Sequence, residues 1–228
     1  MINNKTRTIL KSLLGLNNSM VISYPTMTLT DSFKSIFCRV NLKDIDEEFE
    51  TIGIYDAANF LSALELLDDP KIEIKDNIIK ATDTESTMEF VTTDVDSLSE
   101  TVFKESIVDR TMDFPSLIEF KFTTDMLNKI KKAAGVFKTA DTMFLNNSDK
   151  VSISLGQFES FETSQNTFSI NVDTEPSKKE FKLAVPLENI LKLPNVNYDF
   201  EVRYNEEKDA YRIVLKNEIY TFILSLMK

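Results

Sequence analysis

The chain repeats itself. Thr6-Arg7-Thr8-Ile9-Leu10-Lys11-Ser12-Leu13 opens an apolar helical pattern, and Thr123-Thr124-Asp125-Met126-Leu127-Asn128-Lys129-Ile130 opens another with the same spacing. Each is followed by strand-like runs, then a second short helical stretch, then a tight strand pair. The second helical stretch is Asn59-Phe60-Leu61 in the first half and Asn189-Ile190-Leu191 in the second. The first motifs lie 117 residues apart and the second 130, a difference that loop length absorbs. A chain of two like halves suits curving, stacking or closing a ring, and its working surface is then the assembled one rather than a catalytic pocket.

A length of 228 residues suits one large domain or two of about 110 residues each. The repeat places them at 1–100 and 117–228, with a connector at 101–116. Hydrophobic residues make up 42% of the chain and 17 are Phe, enough for a packed core.

Helical spacing of Ile9, Leu10, Leu13 and Leu14 predicts a helix over 5–16, with Asn4 or Thr6 as cap. Strands are expected at 20–24, 26–30 and 34–40, then an acidic loop over 41–48 and a strand over 49–55. Asp56 can cap a helix over 57–67 whose stripe is Phe60, Leu61, Leu64 and Leu67. Asp76-Asn77 reads as a hairpin turn between 71–75 and 78–82, and 87–92 as the last strand of this half. The pattern weakens over 93–116, which reads as partly extended and partly docked.

In the second half a strand over 117–122 leads into a helix that runs from Thr123 or Thr124 to about Phe137. Strands follow at 142–145, 151–155, 157–161, 168–172 and 181–185. Pro186 suits the first turn of a short helix that ends near Leu193, and 198–204, 211–216 and 220–227 are closing strands, the last ending at or just before the final residues. Few helices and many strands make an α+β protein whose helices cover one side of its sheets.

Charge and residue usage narrow the function. The net charge of -11 repels nucleic acid on average, so a DNA role requires positive charge gathered on one surface. The absence of His removes the commonest general base and zinc ligand, and four Gly leave no Gly-rich phosphate loop. The acidic runs Asp44-Ile45-Asp46-Glu47-Glu48 and Asp94-Val95-Asp96 match no metal-ligand spacing and read as solvated loops. The lone Cys38, in Ile36-Phe37-Cys38, reads as a small core residue. No nucleophile motif, cofactor motif or membrane-spanning run stands out, so catalysis is not expected.

Against the acidic average, the two long helices are basic. The first carries Lys5, Arg7 and Lys11 with no acid before Asp31. The second carries Lys129, Lys131, Lys132 and Lys138 away from its apolar stripe, and no acid lies between Asp125 and Asp141. Such faces suit sequence-independent, salt-sensitive contacts to phosphate. A solvated lysine face is the plain alternative for either helix taken alone. If both helices share one side of a curved sheet, a ring of such units has a positive hole and a negative outer wall.

The stretch Ile54-Tyr55-Asp56-Ala57-Ala58-Asn59-Phe60-Leu61-Ser62-Ala63-Leu64-Glu65-Leu66-Leu67-Asp68-Asp69 resembles the sliding clamps of T4-like bacteriophages. In that family an Ile-Tyr-Asp opens a short helix with Phe-Leu inside it and an acidic stop. The hairpin Asn77-Ile78-Ile79-Lys80-Ala81, then Asp83 and Ser86-Thr87, continues the likeness, as do Ile9-Leu10-Lys11 and Asn17-Asn18-Ser19-Met20. The match covers about residues 5–95; beyond it rests on helix order and length.

The resemblance implies two DNA-clamp domains with sheets outside and helices on one face, assembled head to tail as a homotrimeric ring on double-stranded DNA. It implies a non-enzymatic processivity factor for a replicative DNA polymerase, placed by a clamp-loader ATPase and used also by late-transcription factors, without a cofactor, in the cytoplasm of an infected bacterial host. Family partners dock terminal peptides near the domain connector, which here points to Val102, Phe103, Ile107 and Val108. The competing reading is an acidic, β-rich viral structural or interaction protein without DNA contact; a hydrolase is a distant third.

Overall fold

Asn3 starts the first helix. Its Oδ1 accepts from the amides of Lys5 (2.9 Å) and Thr6 (3.0 Å), which satisfies two of the donors left free at a helix start. The protein, seen in a computed structural model, is described over residues 2–158 and 168–227. It divides into two units, Met1–Glu105 with Glu218–Tyr220, and Ser106–Asn217 with Thr221–Lys228.

The first unit runs α1 (Asn4–Leu13), β1 (Met20–Ile22), β2 (Thr26–Thr30), β3 (Ile36–Asn41), β4 (Ile52–Ile54), α2 (Ala57–Leu64), β5 (Lys71–Lys75), β6 (Ile78–Thr82) and β7 (Thr87–Val91). A 3-10 helix, Val95–Thr101, follows. β1 pairs antiparallel with β4, β2 with β3, and β5, β6 and β7 form an antiparallel meander. Asp76 and Asn77 both take positive φ (51° and 63°), as the short hairpin turn between β5 and β6 requires.

The second unit opens with α3 (Ser106–Met112) and β8 (Ser116–Phe122). It continues with α4 (Thr124–Val136), β9 (Thr142–Asn147), β10 (Val151–Gly156), β11 (Phe168–Asn171), β12 (Phe181–Pro186), α5 (Leu187–Leu191), β13 (Tyr198–Asn205), β14 (Ala210–Lys216) and β15 (Tyr220–Leu224), of which Tyr220 counts with the first unit. β9 lies between β10 and β12, and β11 joins the far side of β10. β13 pairs with β8 on one side and β14 on the other, and β14 with β15.

From α1 onward in the first unit, and from α4 onward in the second, the order is the same: helix, four strands, short helix, three strands. Burial fixes the register of the repeat. Leu10, Leu13 and Leu16 are buried, and 117 positions later so are Leu127, Ile130 and Ala133. What repeats is the core and not the charge: in this register Lys11 falls on Asn128 and Leu14 on Lys131.

Several expectations need adjustment. Only Ile52–Ile54 of the expected strand 49–55 pairs, because its partner β1 has three residues. The segment expected to be partly extended contains a 3-10 helix and α3. The strand expected over 157–161 does not include Gln157 or Phe158, and the rest of it lies outside the described residues.

The cores are apolar and aromatic. Phe60 is fully buried against Phe90, with ring centroids 5.0 Å apart, and Phe200 stacks on Phe120 at 4.5 Å. Cys38 is fully buried, which pushes its thiol pKa up. Among the described residues, no helix is long and apolar enough to cross a membrane.

Candidate nucleic-acid interface

Helix α1 buries Thr6, Ile9, Leu10 and Leu13. Thr6 is held by a hydroxyl bond to Asp46 Oδ2 (2.7 Å), an oxygen that also accepts from the Asn3 amide (2.9 Å). With that face turned inward, the basic residues are left on the remaining surface, but not equally free. Lys5 is exposed and has no ion pair among the described residues. Arg7 is half-buried and donates through Nη2 to Asn4 Oδ1. Lys11 is ion-paired with Glu65, just past the last residue of α2.

Helix α4 buries Leu127, Ile130 and Ala133, and Thr123 caps it by accepting from the Met126 amide. Lys129 pairs with Asp125 one turn earlier, at 2.7 Å. Lys132 is exposed, and so is Lys138 just beyond the helix; neither has an ion pair among the described residues. Lys131 is different. It is half-buried, and its Nζ donates to the backbone carbonyl of Leu193, 3.0 Å away. Desolvation of the ammonium pushes its pKa below the usual lysine range.

The seven basic residues therefore sort by what surrounds them. Lys5, Lys132 and Lys138 present uncommitted charge to solvent. Lys11 and Lys129 share theirs with one carboxylate each, and these exposed pairs are weak enough for a phosphate to compete. The Asp125–Lys129 spacing could be read from the sequence as an i,i+4 pair. The Glu65 and Leu193 partners could not, since only the packing of two helices brings them near.

The four connector residues are also unequal. Val108 is fully buried, whereas Val102, Phe103 and Ile107 are half-buried. Phe103 is strapped to the β2–β3 hairpin: its ring meets Phe37 edge-on at 5.2 Å, and its carbonyl accepts from Thr28 Oγ1 at 3.0 Å. Among the described residues there is no cluster of three or more His, Cys, Asp or Glu side chains able to hold a metal. A cleft of about 400 Å³ near α4 and α5 is lined by Ala134, Ala140, Asp141, Pro186, Leu187, Glu188 and Leu191.

Comparison with known proteins places this geometry. No protein-family model matches the chain. The sliding clamp of Vibrio phage KVP40 is 26% identical over 207 residues, which cover 88% of each chain. Among solved structures, A. fulgidus PCNA, bound to the C-terminal region of FEN-1, superposes with a TM-score of 0.65 at 9% identity, over 97% of this chain and 94% of that one. The Helicobacter pylori beta clamp superposes with a TM-score of 0.64 at 14% identity, over 99% of this chain. Only 63% of that bacterial chain is spanned. The fold is that of the DNA clamps.

Proposed function

We propose that this chain, with its clamp fold and its likeness to a phage sliding clamp, encircles duplex DNA and tethers a replicative polymerase for processive synthesis. The observation that carries this function is the repeated unit. Helix, four strands, short helix and three strands occur twice, and each long helix buries one face and leaves basic residues on the other. A chain with a net charge of -11 has no general attraction for DNA, so lysines gathered on two helices are its means of tolerating a duplex. Weak contacts suit sliding, because tight ones would halt it.

In this account 1–100 and 117–228 are the two clamp domains and 101–116 connects them. Lys5, Arg7, Lys11, Lys129 and Lys132 lie on the helices that face DNA and Lys138 lies just beyond the second, while Lys131 shares α4 with its ammonium turned to the Leu193 carbonyl. Three copies close the ring, a clamp-loader ATPase opens it, and partner peptides dock near the connector residues Val102, Phe103, Ile107 and Val108. The protein acts as a scaffold rather than a catalyst, inside an infected bacterial cell. The phage relative and the clamp neighbours support this reading; one neighbour is bound to a DNA ligase peptide and another to a region of FEN-1.

Light scattering and primer extension test it together. A mass of three chains is expected, along with long products when loader and polymerase are supplied. Replacing Lys129 and Lys132 together by Glu, which leaves the Lys131 bond to Leu193 in place, shortens those products. A monomer whose double variant leaves synthesis unchanged at several salt concentrations supports the acidic interaction protein instead.

A further inference from the structure

Of the basic residues on α4, Lys131 is the one whose charge is turned to the protein. The sequence alone ranks it with Lys129 and Lys132. At about 100° per residue, however, Lys132 lies roughly opposite the Leu127–Ile130–Ala133 stripe, and Lys131 lies on the stripe's flank. There its ammonium meets the Leu193 carbonyl at 3.0 Å. Leu193 is buried and stands two residues past the end of α5, and the Val196 amide that follows is committed to the Pro194 carbonyl at 2.9 Å. Among the described residues no backbone amide reaches this carbonyl, so the lysine supplies its donor where the helix's negative end gathers.

The repeat supports the same assignment. In the register fixed by the buried residues, the counterpart of Lys131 is Leu14, an apolar residue that is half-buried at the end of α1. The position is one that packs in both units, and in the second unit a long stem carries an ammonium to its end.

We propose that Lys131 is a positioning residue: its bond to the Leu193 carbonyl locks α4 against α5, and Lys132, held by that lock, is the residue that meets phosphate. The inference rests on the sliding-clamp reading. It refines which lysine does what, and it gives Lys131 an effect on stability that a phosphate contact lacks.

Weak binding to a short blunt-ended duplex, followed by fluorescence anisotropy across a salt series, needs no loader and counts phosphate contacts. Each contact contributes about 0.9 to the slope of log K against log salt. Lys131→Met keeps the apolar stem and loses the donor. It is expected to leave the slope unchanged and to lower Tm by roughly 2–6 °C, whereas Lys131→Arg, which keeps a donor, restores Tm. Lys132→Met is expected to lower the slope by about 0.9 at unchanged Tm. A slope that falls in Lys131→Met, or a Tm that stays put in it, overturns the positioning role. If wild type and Lys132→Met both bind without salt dependence, the DNA interface itself is misassigned and the positioning role falls with it.

Discussion

Glu65 closes an ion pair with Lys11, joining the end of α2 to the last turn of α1 in the first unit. The two side chains are 62% and 35% exposed, so the pair adds little to stability, within about 1 kcal/mol. Its effect is on charge, because a carboxylate beside Lys11 reduces what that lysine offers a phosphate. Glu65→Gln is therefore expected to tighten weak duplex binding and steepen its salt dependence by up to one contact's worth, with Tm nearly unchanged. Anisotropy titrations at several salt concentrations check this.

Asp46 secures the start of α1 by accepting from Asn3 and Thr6. Burial tends to raise its pKa, but the hydrogen bonds from Thr6, Asn3 and Glu47 outweigh it and hold the carboxyl below the usual range. A folded-state pKa below the unfolded one means the stabilisation is present above the unfolded pKa, about 3.9, and disappears as pH falls through the folded value. Asp46→Ala should lower Tm by a few degrees near pH 7, and the gap to wild type should narrow progressively as pH falls below about 4. Thermal melts across pH 3 to 7 read this directly (a gap independent of pH would contradict the carboxylate's role).

Gly53 leaves no room for a side chain. A Cβ placed there would lie 2.3 Å from the Thr93 carbonyl oxygen and 3.2 Å from Leu98 Cδ1. The same glycine bridges to Thr93, whose amide donates to the Gly53 carbonyl at 2.8 Å. Gly53→Ala is expected to destabilise the protein by roughly 1–3 kcal/mol, seen as a lower urea midpoint, because backbone and not a flexible side chain has to move.

Arg203 ties β13 to the last residue of α3 and the segment that follows it. Its Nη1 donates to the Met112 and Phe114 carbonyls, both at 2.6 Å, and its Nε to Glu201 Oε2 at 2.6 Å. Glu201 is only 3% exposed and also pairs with Lys216. Arg203→Met leaves two carbonyls without this donor and a buried carboxylate with one cation fewer, so a loss of about 2–4 kcal/mol is expected. Hydrogen exchange should show faster opening over 106–115.

Local pattern carried far into this fold. The spacing of Ile9, Leu10 and Leu13 gave one buried helix face, Leu127 and Ile130 gave the other, and Asp76-Asn77 announced a turn that uses positive φ. What depended on distant partners stayed hidden. The strand near Ile54 is short because β1 is short, and α3 is a seven-residue helix in acidic, weakly patterned sequence. The basic helices were legible as basic. That Lys11 faces Glu65, and Lys131 a backbone carbonyl, follows from how α1 packs beside α2 and α4 beside α5.

Retention on closed circular DNA, compared with the same DNA after one cut, shows whether this protein encircles a duplex. With a loader and ATP supplied, a topological ring stays on the circle through a high-salt wash and slides off the linear form. Equal loss from both forms, or equal retention on both, would contradict an encircling clamp.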